Sequence, residues 1–249
     1  MISRMARTST TTSAVSIEKT SVSRTTTIST TTTTSTDPSS VASALPFALG
    51  LGANLGDAVS SLRHAVGQLD RHLGPLRVAP LYRTAPVSRS GAVDHAQPSY
   101  SNTVVLGEVL SRSPEHAARL LVGLGKALER DAGRSVDPRS TAARDAPRSL
   151  DVDLLLLGEH RVELPAEPDD RRTGDIDEPW WPGAITVPHP RLRDRRFVLA
   201  PLADLVPDLV VPPDGATVAH LLAVLGEARF DDQRVERLAA GAPFDAETV

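Results

Sequence analysis

The chain has 249 residues, with 27 Lys plus Arg against 31 Asp plus Glu, a formal net charge of −4 and no cysteine. That length allows one large domain or two small ones. The missing cysteines exclude disulfides, thiolate metal sites and cysteine nucleophiles, and the near-neutral charge argues against nucleic-acid binding. No apolar run approaches the roughly 18 residues of a membrane span, and no secretory signal core is present.

Residues 1–44 are dominated by Ser, Thr and small side chains. They bury too little apolar surface to offset chain entropy, so the sequence predicts a disordered tail. Scattered arginines (Arg4, Arg7, Arg24) and few acids (Glu18, Asp37) resemble an organelle transit peptide. An over-extended start or a tail on a cytoplasmic protein is the favoured reading. The body is rich in Ala, Arg, Val, Pro and Asp, with lysine only at Lys19 and Lys126, the bias of a high-GC bacterial genome. One folded domain is expected over 45–249.

Phe47 to Gly52 predicts a first strand running into a glycine-rich turn. Asp57 is the expected N-cap of a helix whose apolar positions are Leu62, Val66, Leu69 and Leu73, ended by Gly74-Pro75. The spacing Gly50-x-Gly52-x-x-x-Gly56 misses the dinucleotide fingerprint by one residue, and no Walker lysine follows. A second strand is expected over Leu76–Tyr82 and a third over Thr103–Leu110, separated by a polar loop at Ser88–Ala96. Tyr100 and Asn102 lead into that third strand and share a face. They are either ordinary edge residues or an aromatic and an amide that stack and hydrogen-bond a flat heterocycle.

Ser113-Pro114-Glu115 starts a second helix that runs through Leu120, Leu121, Leu124 and Leu128 to Gly133. Residues 135–149 lack apolar periodicity and read as a mobile loop bearing Arg139, Arg144 and Arg148. Then comes Leu150-Asp151-Val152-Asp153-Leu154-Leu155-Leu156-Leu157, a buried strand interrupted by two acids. Strand alternation puts Asp151 and Asp153 on one face, with α-carbons about 6–7 Å apart, and Leu150, Val152, Leu154 and Leu156 on the other. Spacing alone fits equally a wet edge strand and a pair holding a cation such as Mg²⁺.

The order strand, helix, strand, strand, helix, strand predicts an α+β fold. It is the ferredoxin-like βαββαβ sandwich, an antiparallel sheet backed by two helices. Glu159–Ala184 is acidic and Pro-rich, an expected surface insertion in which Trp180-Trp181 is read as local packing. A C-terminal extension follows, with a helix around Val218–Leu225 and a frayed polar end.

Positive charge in the body is almost all arginine, and Arg134, Arg148, Arg195 and Arg196 flank the acidic strand. Guanidinium forks match phosphate oxygens and keep their charge, so acids plus arginines suit phosphoryl or pyrophosphoryl transfer. No nucleophile elbow supports a Ser-His-Asp site. The histidines lack metal-ligand spacing; His189, stiffened by Pro188 and Pro190 and close to Arg195, is the one worth following.

Six blocks occur in one order: FALGLGANLGD (Phe47 to Asp57), YRTAPV (Tyr82 to Val87), QPSYSN (Gln97 to Asn102), LERDAGR (Leu128 to Arg134), PRSLDVDL (Pro147 to Leu154) and TVPHPRLRDRRFVLAPL (Thr186 to Leu202). Together they resemble the 6-hydroxymethyl-7,8-dihydropterin pyrophosphokinases of folate biosynthesis. The resemblance implies transfer of pyrophosphate from ATP to the pterin's hydroxymethyl oxygen. It implies two Mg²⁺ on Asp151 and Asp153, with Arg148 and Arg195 on the phosphates and Arg134 assisting from a loop. It places Glu129, Thr186 and His189 at the nucleotide, and Thr84, Ala85, Pro86, Val87, Tyr100, Asn102 and Phe197 around the pterin. A cytoplasmic monomer without nucleic-acid or membrane partners is expected. Departures are Asp145-Ala146 where the family commonly has Trp-Gly, a longer loop at Ser135–Ala146, Ala85 for a frequent proline, and Lys126 where glutamine can occur. A two-metal phosphoesterase and a silent binding module are the rival readings.

Overall fold

The long strand β1 (Ser43–Ala53) is the axis of the sheet, antiparallel to β4 (Tyr100–Ser111) on one side and β5 (Asp151–Leu157) on the other. This computed structural model describes residues 41–86, 96–133, 147–167, 176–177, 179, 181–228 and 235–238. They lie in one compact unit, Pro38–Val249. Outward from β4 come β2 (Arg77–Val78) and β3 (Tyr82–Thr84), and β10 (Val235–Arg237) pairs with β3. The order is β10-β3-β4-β1-β5, with every pairing antiparallel. Two small hairpins stand apart: β6 (Val162–Leu164) with β7 (Ile185–Val187), and β8 (Val210–Val211) with β9 (Ala216–Thr217).

Each sheet face has its own core. Odd positions of β1, from Leu45 to Ala53, meet α1 (Ala58–Leu73) and α2 (Pro114–Asp131) through Leu62, Val66, Leu69, Leu121, Leu124 and Leu128. Both helices start as expected. Asp57 accepts from Ser60 N–H at 3.0 Å, and the Ser113 hydroxyl accepts from His116 N–H at 3.2 Å ahead of Pro114. The opposite face carries Ala48, Val104 and Leu155 under α3 (Arg196–Leu205) and α4 (Val218–Ala228). The C-terminal extension thus forms a third layer, where the sequence pattern implied two helices on a sheet.

Four expectations change in detail. The second strand breaks into β2 and β3 around Pro80, which has no N–H for a ladder. Gly50 and Gly52 sit within β1, not in a turn; the positive-φ glycine here is Gly56. Leu156 does not stay with Val152 and Leu154. The register slips between Ala48 and Leu49, which pair with Leu156 and Leu154 respectively. Leu155 is the extra residue, so Leu155 and Leu156 enter the second core while Leu157 returns to the first. Finally, the polar C-terminal stretch contributes β10, whose Leu238 N–H also donates to Leu81 O at 2.9 Å.

The span 159–184 is not wholly irregular, because β6 falls within it and pairs with β7 just past its end. Trp181 is buried in the first core, as local packing requires. Arg119 of α2 holds this segment by donating to Trp181 O at 2.8 Å, Gly183 O at 3.2 Å and Pro165 O at 3.1 Å.

Candidate active site

Cross-strand register assembles the site. Asp151 of β5 stands opposite Gly52 of β1, Gly52 opposite Asn102 of β4, and Asn102 opposite Tyr82 of β3. One step along, Asp153 faces Gly50 and Gly50 faces Val104. Directly paired residues share a face, so the two carboxylates flank a floor without side chains. A Cβ at Gly52 would stand 2.6 Å from Asn102 Oδ1, so a side chain there must displace that amide. This face is the one that α3 covers further along, where the row turns apolar at Val104 and Leu155.

The β5 end is a field of opposed charges. Arg148 is ion-paired with Asp151. Arg195 donates from Nη1 to Asp153 Oδ2 at 3.0 Å, and His189 Nε2 lies 3.7 Å from the same oxygen. Burial alone would raise the Asp153 pKa, but Arg195, His189 and Lys126 outweigh it and hold the carboxyl well below its usual range. Burial lowers the His189 pKa, reinforced by Arg195 and Arg191 against the pull of Asp153. Burial also works against the charge on Arg148, and Asp151 more than offsets it.

Beneath this strand lies a pair from α2. Glu129 is 0% exposed, and its Oε1 accepts from Val152 N–H at 2.9 Å and from Lys126 Nζ at 2.5 Å. Because β5 is an edge strand, the N–H between the two acids needs a partner from outside the sheet, and Glu129 supplies it. Burial would discharge Lys126, but Glu129, Asp151 and Asp153 hold its pKa above the ordinary lysine value.

The β3–β4 end is neutral. Asn102, 6% exposed, donates from Nδ2 to Thr84 Oγ1 at 2.8 Å, which leaves its amide orientation fixed beside Tyr100. Ala85 is half-buried and Pro86 buried just beyond Thr84. From the α3 side, Phe197 lies with its ring centroid 5.4 Å from the Arg195 guanidinium carbon, a cation–π contact. Asn54 links the two ends. Its Oδ1 accepts from Arg148 N–H at 2.7 Å, and its Nδ2 donates to Gln97 Oε1 at 3.3 Å and Pro98 O at 3.2 Å.

Of the residues singled out in the sequence, Arg148, Asp151, Asp153, His189 and Arg195 converge at the β5 end, and Thr84, Tyr100 and Asn102 at the other. Glu129 lies under the strand, and Thr186 is exposed on β7 opposite Glu163. Arg134 and Val87 lie outside the described residues. Asn54 was not singled out, the two floor glycines were read only as part of a turn, and Lys126 drew notice for its rarity and as a departure from the family pattern. Its signal was that the body has a single lysine among many arginines. Among the described residues no group of three or more His, Asp or Glu could hold a metal by itself.

The arrangement can neutralise and grip a polyanion at one end while hydrogen-bonding a planar ring at the other. Comparison with known proteins settles the family. The model of the 7,8-dihydro-6-hydroxymethylpterin-pyrophosphokinase family matches residues 48–207. The chain belongs to that family. It is 30% identical over 174 residues to a 2-amino-4-hydroxy-6-hydroxymethyldihydropteridine pyrophosphokinase of Synechocystis sp., covering 70% of this chain and 73% of that protein. It is 33% identical over 175 residues to the protein of that name from Pseudomonas aeruginosa, covering 70% and 87%. A mitochondrial folate synthesis bifunctional protein of Arabidopsis thaliana is 32% identical over 173 residues, but the match spans only 25% of its length. The fold also matches the crystal structure of wild-type Plasmodium falciparum HPPK-DHPS. There the TM-score is 0.54 at 14% identity, over 74% of this chain and 41% of that one.

Proposed function

We propose that the chain transfers the terminal pyrophosphoryl group of ATP to the hydroxymethyl oxygen of 6-hydroxymethyl-7,8-dihydropterin, in folate biosynthesis. The observation that carries this reading is the single face on which Asp151, Asp153, Arg148 and Arg195 adjoin the neutral shelf of Asn102 and Thr84. The names of the family and of its relatives supply the substrates. The pterin hydroxyl attacks the β-phosphorus, the bond from that phosphorus to the α–β bridging oxygen breaks, and AMP leaves.

Arg148 and Arg195 bind the phosphates as charged forks, and Arg134 assists from its loop. Thr186, His189 and, from beneath, Glu129 belong to the nucleotide side. On the other side Asn102 and the segment Thr84 to Val87 hydrogen-bond the pterin, with Tyr100 and Phe197 enclosing its ring. Asp151 and Asp153 would hold two Mg²⁺. The donor set fits: hard oxygens on one face over side-chain-free glycines, with remaining positions left to water and phosphate, as this ion prefers. When bound, the ions supply neutralisation of charge on the bridging oxygens. Until then the arginines act as counter-ions to the carboxylates and exchange them for phosphate as ATP enters.

The same reading extends to the fold. Taking β2 and β3 as one broken strand, the order β3-β4-β1-β5 with α1 and α2 on one face supports a ferredoxin-like core. A domain beginning near residue 45, acting as a cytoplasmic monomer, completes the proposal. No helix of the described residues is long and apolar enough to cross a membrane.

Release of AMP from ATP and Mg²⁺, with and without the pterin, tests the function. AMP should form only when the pterin is present. None at saturating pterin would overturn the reading, and equal release without it would point to a phosphoesterase.

A further inference from the structure

Outside the site, three side chains from three separate elements meet at one point. Tyr82 of β3, 6% exposed, donates its hydroxyl to Asp204 Oδ2 at 2.7 Å. Arg237 of β10 donates from Nε to the same oxygen at 3.1 Å. Burial and the neighbouring Asp204 both push the Tyr82 pKa up, so the phenol stays a donor. Nearby, Arg77 of β2 donates to Leu205 O, at the end of α3, at 2.8 Å.

The elements joined here carry residues assigned above to the pterin, Thr84 on β3 and Phe197 on α3. β3 has three residues, and Pro80 separates it from β2, so its ladder alone holds it weakly. Its Thr84 lies two residues from Tyr82 on the same face and accepts from Asn102. Helix α3 presents Phe197 in its first turn and Asp204 near its last. A bond from Tyr82 to Asp204 therefore ties the strand carrying Thr84 to the helix carrying Phe197. β10, in register with β3 and anchored through Arg237, holds that strand from its outer edge.

We propose that Tyr82, Asp204 and Arg237 are positioning residues that set the spacing between the Asn102/Thr84 wall and the Phe197 wall. The inference rests on the assignment of those walls to the pterin. Asp151 and Asp153 on β5, and Arg148 just before it, lie across β4 and β1 from this cluster, and Arg195, the N-cap of α3, is held at that end by its bond to Asp153, so the change falls mainly on the pterin side.

Steady-state kinetics on the full chain, with ATP and pterin varied separately and thermal midpoints measured alongside, test it. Tyr82→Phe removes one hydroxyl with little change in volume. It should raise the pterin KM about tenfold and leave the ATP KM within about twofold. Asp204→Ala should do the same, and the double variant no more than either alone, as expected for one shared interaction. Asp204→Asn keeps an oxygen for the phenol and should restore most of the loss. A wild-type pterin KM in Tyr82→Phe, a parallel rise in both KM values, or an Asp204→Asn as impaired as Asp204→Ala overturns the proposal. Should Asp204→Ala fail to fold, Tyr82→Phe decides. Failure of the underlying assignment shows differently, as a wild-type chain that makes no pterin-dependent AMP, and the inference falls with it.

Discussion

At the β5 end of the site face, Asp151 is paired with Arg148, and Asp153 with Arg195. At the β3 end Asn102 and Thr84 are joined by a neutral hydrogen bond, and no charged side chain of the described row intervenes between Gly52 and Tyr82. On the proposed function the first end is a set of exchangeable partners, each guanidinium trading carboxylate for phosphate. The second is pre-arranged, with its amide already oriented and little ordering entropy left to lose when a ring binds. Charge dominates one end; shape and neutral hydrogen bonding dominate the other.

Removing one member from the charged end is the most severe test of that contrast. Asp153→Ala should lower turnover by about a thousandfold while the fold persists, because it deletes a proposed cation ligand and frees Arg195. A rate near wild type, with unchanged Mg²⁺ dependence, would break the distinction. Next is the support below the strand. Lys126→Met leaves the Glu129 carboxylate buried without its cation and should cost about 3 kcal/mol of stability, read by denaturant unfolding. The smallest effect belongs to the floor. Gly52→Ala should displace Asn102 and weaken pterin binding about tenfold, with a stability loss of about 1 kcal/mol and unchanged ATP affinity. Equal weakening for ATP would show that the two ends are not independent.

The acidic strand was legible because two polar residues in an apolar run mark the strand's phase. The helix caps were legible because Asp57 and Ser113-Pro114 satisfy local rules within three residues. The bulge was not, since Leu154 to Leu157 are identical and carry no information about which side each one faces. Gly50 and Gly52 misled for a related reason. A glycine can mean freedom of backbone or absence of a side chain, and only the cross-strand neighbour Asn102 distinguishes the two. The ties that unite the site are distant in sequence: Asn54 to Arg148 spans 94 positions and Tyr82 to Asp204 spans 122. Local patterns are silent at that range. The resemblance to a family grouped Asp151, Asp153, Arg148 and Arg195, which the structure brings together, but it did not reveal why Lys126 is tolerated next to them.

The outer strand β10 has a consequence for how the protein is made. It pairs with β3 but is the last described element in the chain, so during synthesis β3 waits with unpaired N–H and C=O groups until the C-terminal segment leaves the ribosome. By then β1, β4, β5, α1 and α2 are all available, and the first core with its carboxylates can close. The nascent chain therefore passes through a stage with the charged half of the site face assembled and an open edge beside the neutral half. That edge is where a stalled or clipped chain would pair with a neighbour, and it is the place to look for aggregation when translation is interrupted.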